Sequence, residues 1–170
     1  MAAELAGVKK TALPKARFIG ICYTEKDREN GTFGAKWGEW FATNRFQALE
    51  ALGALEESEG AYAAAMRMTE GGRDMEYWIG MLFPAGTEAP EGYAYVDMAP
   101  QEYALLWIRG NEQSGEIYGE TAWNLCLGAL QKNGWTIKED GWSFEIYNCP
   151  RFTTPDQDGN VILDYLIPLN

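Results

Sequence analysis

Two apolar runs that stop at proline set the plan of this chain. Tyr77-Trp-Ile-Gly-Met-Leu-Phe-Pro84 and Ile162-Leu-Asp-Tyr-Leu-Ile-Pro168 both read as strands closed at an edge, because proline cannot donate to a sheet ladder. Each ends a series of the same kind. Arg17 to Tyr23 predicts a strand, and Ala35 to Glu57 an amphipathic helix carrying Trp37, Trp40, Phe41, Ala48, Leu52 and Leu55 at helical spacing. Ala61 to Met68 and Met75 to Pro84 then predict a hairpin about the glycine turn Glu70 to Asp74. The second series runs through strand Tyr103 to Arg109, a helix from Glu116 to Lys132 stopped by Asn133-Gly134, strand Trp142 to Tyr147 and strand Val161 to Leu169. The order β-α-β-β therefore occurs twice, over about 15–84 and 92–170, with Ala85 to Gly92 as linker and a short strand near Tyr93 to Met98. Such a chain is expected to be α+β: a duplicated unit, an antiparallel sheet, two main helices and a ligand cleft between the halves. Met1 to Ala12 is mixed in character and is expected to be loosely held.

Within the second series, Trp142-Ser143-Phe144-Glu145-Ile146-Tyr147 alternates like a strand yet sets one carboxylate among large apolar and aromatic neighbours. Period two places Ser143, Glu145 and Tyr147 on one face and Trp142, Phe144 and Ile146 on the other. Glu145 then lies either on the wet face of an antiparallel sheet or at the floor of an aromatic pocket, where a cationic ligand would offset the cost of desolvating it. The strand alone does not choose. The small side chains Ala61, Ala63, Ala64 and Ala65 are expected to leave room above the sheet. The helix from Glu116 carries two apolar stripes, Tyr118, Ala122, Leu125 and Ala129 beside Trp123, Leu127 and Leu130, which predicts burial on two sides.

Composition removes several functions. The 170 residues contain no histidine, which excludes a Ser-His-Asp triad, a Cys-His pair, a His-based zinc site and a His-ligated haem. A net charge of -11 argues against direct nucleic-acid binding, which needs a basic face. Cys22, Cys126 and Cys149 are an odd set at wide spacing, as expected of buried or free thiols in a reducing compartment. No apolar run is long enough for a membrane helix and the N-terminus lacks a signal-peptide core, so a cytoplasmic protein is expected. Neither a nucleotide cradle nor a metal-ligand pattern is present, and no cofactor is expected.

Tyr103-Ala-Leu-Leu-Trp-Ile-Arg-Gly110, the Phe144-Glu145-Ile146-Tyr147 strand and the closing Leu163-Asp-Tyr-Leu-Ile-Pro168, in that order and spacing, resemble the GyrI-like family. Its members include the effector-binding domains of AraC-type and MerR-type multidrug-responsive regulators, and the resemblance spans about Arg17 to Leu169. It implies one effector-binding domain over 1–170, built from SHS2-like repeats; the chain departs from the regulators in that no DNA-binding module is read in it, so a stand-alone member is expected. It implies a pocket for flat, lipophilic and often cationic molecules, with Glu145 facing the ligand. Aromatic side chains suit such ligands because rings stack on a flat cation. Trp37, Trp40, Tyr77, Trp107, Trp123 and Tyr147 are the expected wall residues, with Trp78 as the alternative to Tyr77. Drug binding or sequestration is the expected function. Two alternatives stand beside it: a hydrolase that opens strained cyclopropane rings of DNA-alkylating natural products, with Glu145 as base and Tyr147 as partner, and a gyrase-modulator-like interaction protein.

Overall fold

A computed structural model describes residues 3–68 and 75–170; the turn expected over Glu70 to Asp74 lies outside the described residues. The chain is α+β and divides into two compact units, one made of Met1–Leu13 with Gln101–Asn170 and the other of Pro14–Pro100.

In the unit of Pro14–Pro100, strands β2 (Ala16–Tyr23), β3 (Tyr62–Met68), β4 (Met75–Pro84) and β5 (Ala94–Met98) form an antiparallel array in the order β3-β4-β2-β5. β2 and β4 meet at Gly20 opposite Gly80. A Cβ on Gly20 would lie 1.9 Å from the Ile79 carbonyl oxygen, and one on Gly80 2.0 Å from that of Ile19, so this approach admits only glycine. Ile19, Ile79, Met81 and Phe83 face the helices, together with Tyr77; Trp78 points the other way and meets Phe18 edge-on at 6.3 Å.

The long helix expected over Ala35 to Glu57 is interrupted. Helix α1 (Gly34–Ala42) and the short α2 (Phe46–Glu50) are separated by Asn44 in the left-handed region, followed by a 3-10 turn over Glu56–Ser58. The reason is packing. Six residues apart on a straight helix, Trp40 and Phe46 would point about 120° apart, yet both are buried with ring centroids 4.6 Å apart. The bend at Thr43-Asn44 brings both onto one core, and the Thr43 hydroxyl bonds back to the Glu39 carbonyl at 2.7 Å. The alanines of β3 leave no space above them: Ala63, Ala64 and Ala65 are all buried, and Ala64 lies within the helix-facing core.

In the other unit, strands β1 (Glu4–Leu13), β6 (Gln101–Asn111), β7 (Ser143–Tyr147) and β8 (Asn160–Pro168) follow the order β1-β6-β8-β7, with helix α3 (Gly119–Asn133) over one face. The N-terminal segment is thus not loosely held. It pairs with β6 along the whole strand from Glu4↔Arg109 to Leu13↔Gln101, with a register shift between Leu5 and Gly7. The topology follows a reciprocal rule. β1 precedes β2 in the chain but pairs with β6, while β5 precedes β6 but pairs with β2. Each β-α-β-β series therefore takes its fourth strand from the leader of the other series.

α3 ends as the sequence predicts, with Gly134 in the left-handed region at its C-cap. Its burial is one-sided. Ala122, Cys126, Ala129 and Leu130 enter the core and Trp123 and Leu125 pack at its margin, whereas Leu127 is exposed. Among the described residues no helix is long and apolar enough to cross a membrane.

Candidate functional site

The site is built on the α3-facing side of strands β7 and β8. Glu145 is directly opposite Tyr165 of β8, and its neighbours Phe144 and Ile146 pair with Leu166 and Asp164. Tyr165, Val161, Leu163 and Ile167 belong to the α3-facing core, so Glu145 and Tyr147 face the helix while Phe144 meets Tyr103 on the other side of the sheet at 5.8 Å. Glu145 is only 8% exposed. The solvated-face reading of this strand is thereby excluded.

Around the carboxylate stand hydroxyls and a thiol. The Tyr147 hydroxyl donates to Glu145 Oε1 at 3.2 Å. The Tyr165 hydroxyl donates to the Ile117 carbonyl at 2.5 Å; it is also close enough to Glu145 to interact with it, but its one proton serves one acceptor at a time and the geometry gives it to Ile117. Burial, followed by the negative charge of Glu145, pushes the Cys126 thiol up to about 12 and raises the Tyr165 hydroxyl well above its ordinary value. Tyr118, at the N-cap of α3, is raised by burial first and then by the charges of Glu112 and Glu145. Three weak acids are thus held protonated around one carboxylate. Their common cause is a negative field in a poorly hydrated place, which stabilises a positive charge brought into it.

The aromatic residues named from sequence fall into separate groups. Trp123 and Tyr147 share the α3-facing layer with Glu145, joined by Phe152, whose ring meets Tyr147 edge-on at 4.8 Å. Trp107 does not share it. It alternates with Leu106 and Ile108 along β6, pairs with Asp164 and Gly7, and lies on the opposite face beneath the Lys9 ammonium, 5.7 Å from the ring. Trp37, Trp40 and Tyr77 come together in the core of the Pro14–Pro100 unit. There Trp37 Nε1 donates to the Tyr77 hydroxyl and Trp40 Nε1 to the Tyr23 hydroxyl, both at 2.9 Å. Trp40 is fully buried and serves that core.

Sequence reasoning missed a second set of rings there. Phe46 stacks on Tyr62 at 3.7 Å, and Phe41, 59% exposed, lies 6.1 Å from Tyr62 and 6.2 Å from Trp37. Tyr62 in turn donates to Glu50 Oε1 at 2.7 Å. Also missed were Tyr118, Cys126 and Tyr165 around Glu145. Only the strand register and the placement of α3 bring them there, and neither is written in a local pattern.

The fold so defined, a duplicated α+β chain, has solved counterparts. A candidate bacterial transcription regulation protein from Staphylococcus aureus MU50 superposes with a TM-score of 0.67 at 17% identity, over 96% of this chain and 98% of that one. The SAV2435 protein, solved bound to tetraphenylphosphonium, gives 0.65 at 16% identity over 96% and 94%. EcmrR, solved in a DNA complex, gives 0.60 at 10% identity over 96% of this chain and 57% of that one. At such identities the likeness is one of fold. No protein-family model matches the chain, and no curated protein matches it by sequence.

Proposed function

We propose that the chain binds lipophilic cations or planar, positively polarised small molecules at Glu145, as a drug-binding or sequestering domain of the GyrI-like kind. The observation that carries this reading is a carboxylate 8% exposed, ringed by Tyr118, Tyr147, Tyr165 and Cys126, whose charge makes each of Tyr118, Tyr165 and Cys126 harder to ionise. A cation entering that field gains Coulomb energy that water does not screen, and the flanking rings of Tyr147, Phe152 and Trp123 supply faces and edges for its apolar body. The likeness in fold to a protein solved with tetraphenylphosphonium makes that ion the natural probe.

Isothermal titration of the wild-type chain with tetraphenylphosphonium tests the reading. Saturable binding at one site with a micromolar Kd, about -8 kcal/mol, is expected. Absence of saturable heat at millimolar ligand would refute it.

A second reading rests on the Tyr147 to Glu145 hydrogen bond, which holds the carboxylate in one orientation, as a general base requires. Incubation with a cyclopropane-bearing alkylator distinguishes the two. Ring-opened product that forms with wild type and is lost in Glu145→Gln would make the protein a hydrolase; no turnover leaves it a binding protein.

A further inference from the structure

We infer that Arg151 and Asp164 are positioning residues that hold Phe152 against Tyr147 and so form one wall of the Glu145 site, an inference that rests on the binding reading above. Asp164 is 2% exposed and lies on the face of β8 opposite to Tyr165. It accepts from Asn148 Nδ2 at 2.8 Å, from Arg151 Nε at 3.1 Å and from Arg151 Nη2 at 2.6 Å. Both donors belong to the segment between β7 and β8, which contains little apolar material to fold it from within: Cys149 is exposed and Phe152 is its one large apolar side chain.

The backbone continues the same anchorage. Phe152 N donates to the Asn148 carbonyl at 2.8 Å and Ile162 N to the Arg151 carbonyl at 3.0 Å. Phe152 therefore follows directly on residues pinned to one buried carboxylate. Its ring is placed 4.8 Å from that of Tyr147, whose hydroxyl donates to Glu145.

With Asp164 buried and the Arg151 side chain about one third exposed, the pair is a poor source of net stability, since taking the carboxylate out of water offsets much of its attraction to the guanidinium. What it supplies is a fixed geometry, because the guanidinium fork meets a carboxylate in one orientation. Here the geometry fixed is that of the segment carrying Phe152. The two carboxylates divide the labour: Glu145 acts on the charge of a ligand, whereas the Asp164 clamp acts on its shape.

The test uses Arg151→Met/Asp164→Leu, which removes both charges together, and Phe152→Ala, a change at a half-buried ring. N-methylacridinium and, at pH 8, acridine serve as probes of similar shape that differ in fixed charge. With the folded chain confirmed by its unfolding midpoint, both variants are expected to speed dissociation of the cationic and the neutral probe alike, by about two- to tenfold, the range an aromatic contact is worth. Combined, they are expected to do little more than either alone. In the free double variant, the nuclear Overhauser contact between the rings of Phe152 and Tyr147 is expected to vanish. Retention of that contact and of both dissociation rates would overturn the inference, as would additive effects. Failure of the wild-type chain to bind either probe would instead overturn the binding reading and the recognition role with it, while the Overhauser contact would still show whether the pair sets the ring.

Discussion

A carboxylate with 8% of its surface in water is costly to keep, and Glu145 is kept among side chains that are themselves held neutral. Its alternation with Phe144 and Ile146 was legible in the sequence, and so was its partnership with Tyr147, two residues along the same face. Tyr165 and Cys126 were not, because a cross-strand register and a helix placement are tertiary facts. Cys126 gives this environment a direct readout. With its thiol pushed up to about 12 by burial and by Glu145, its thiolate fraction at pH 8 is about 10⁻⁴. Cys22 is raised as well, to about 11, by burial and then by Glu76, whereas Cys149 is exposed. Native protein treated with iodoacetamide at pH 8 is therefore expected to be alkylated at Cys149 well before Cys22 or Cys126, as mapped by peptide mass spectrometry. Early modification of Cys126 would show that the site beneath α3 is open and wet.

At the scale of elements, β4 was readable to the residue because a continuous apolar run ending in proline has few alternatives, and α3 was readable because its periodicity is long and its stop is a glycine. Two elements were not. The rings of Trp37, Trp40 and Phe41 match the spacing of Ala48, Leu52 and Leu55 across Thr43-Asn44, so periodicity alone could not reveal the bend that lets Phe46 join Trp40. β1, with the sequence Glu-Leu-Ala-Gly-Val-Lys-Lys-Thr-Ala-Leu, has no clean alternation and looks like a tail. Its partner β6 lies about a hundred residues away, and that pairing makes it a strand. This yields a prediction opposite to a loosely held N-terminus. Ala3 and Val8 pack on the α3 core, and β1 covers the edge of β6, so deletion of residues 1–13 is expected to lower the unfolding midpoint by about 10 °C or more. An unchanged midpoint in calorimetry would show that β1 contributes no stability.

Over the whole molecule, titration and net charge make separate demands. Burial raises Tyr103 to about 12 and, with Glu145, Cys126 to about the same value, while Tyr118 and Tyr165 are also raised. Each of these acids binds its proton more tightly in the folded chain than in the unfolded one. The stability they contribute is full below the unfolded values, about 8.5 for cysteine and 10 for tyrosine, and is lost as pH rises toward 12. Denaturant titrations at pH 8, 10 and 11 are expected to show a progressive fall, with a limiting slope of about 1.4 kcal/mol per pH unit for each group that titrates on unfolding; a flat profile would place these groups in water. The charge of -11 raises a different issue, since any acidic protein attracts cations weakly over its whole surface. A specific site must therefore exceed what one surface charge does. The decisive comparison sets Glu145→Gln beside the exposed control Glu57→Gln, which changes the net charge equally, with N-methylacridinium and neutral acridine as ligands at pH 8. The expected result is that Glu145→Gln weakens the cation by about 1 to 3 kcal/mol and leaves acridine unchanged, while the control changes neither; equal affinities of Glu145→Gln and the control for the cation would contradict recognition of positive charge by Glu145.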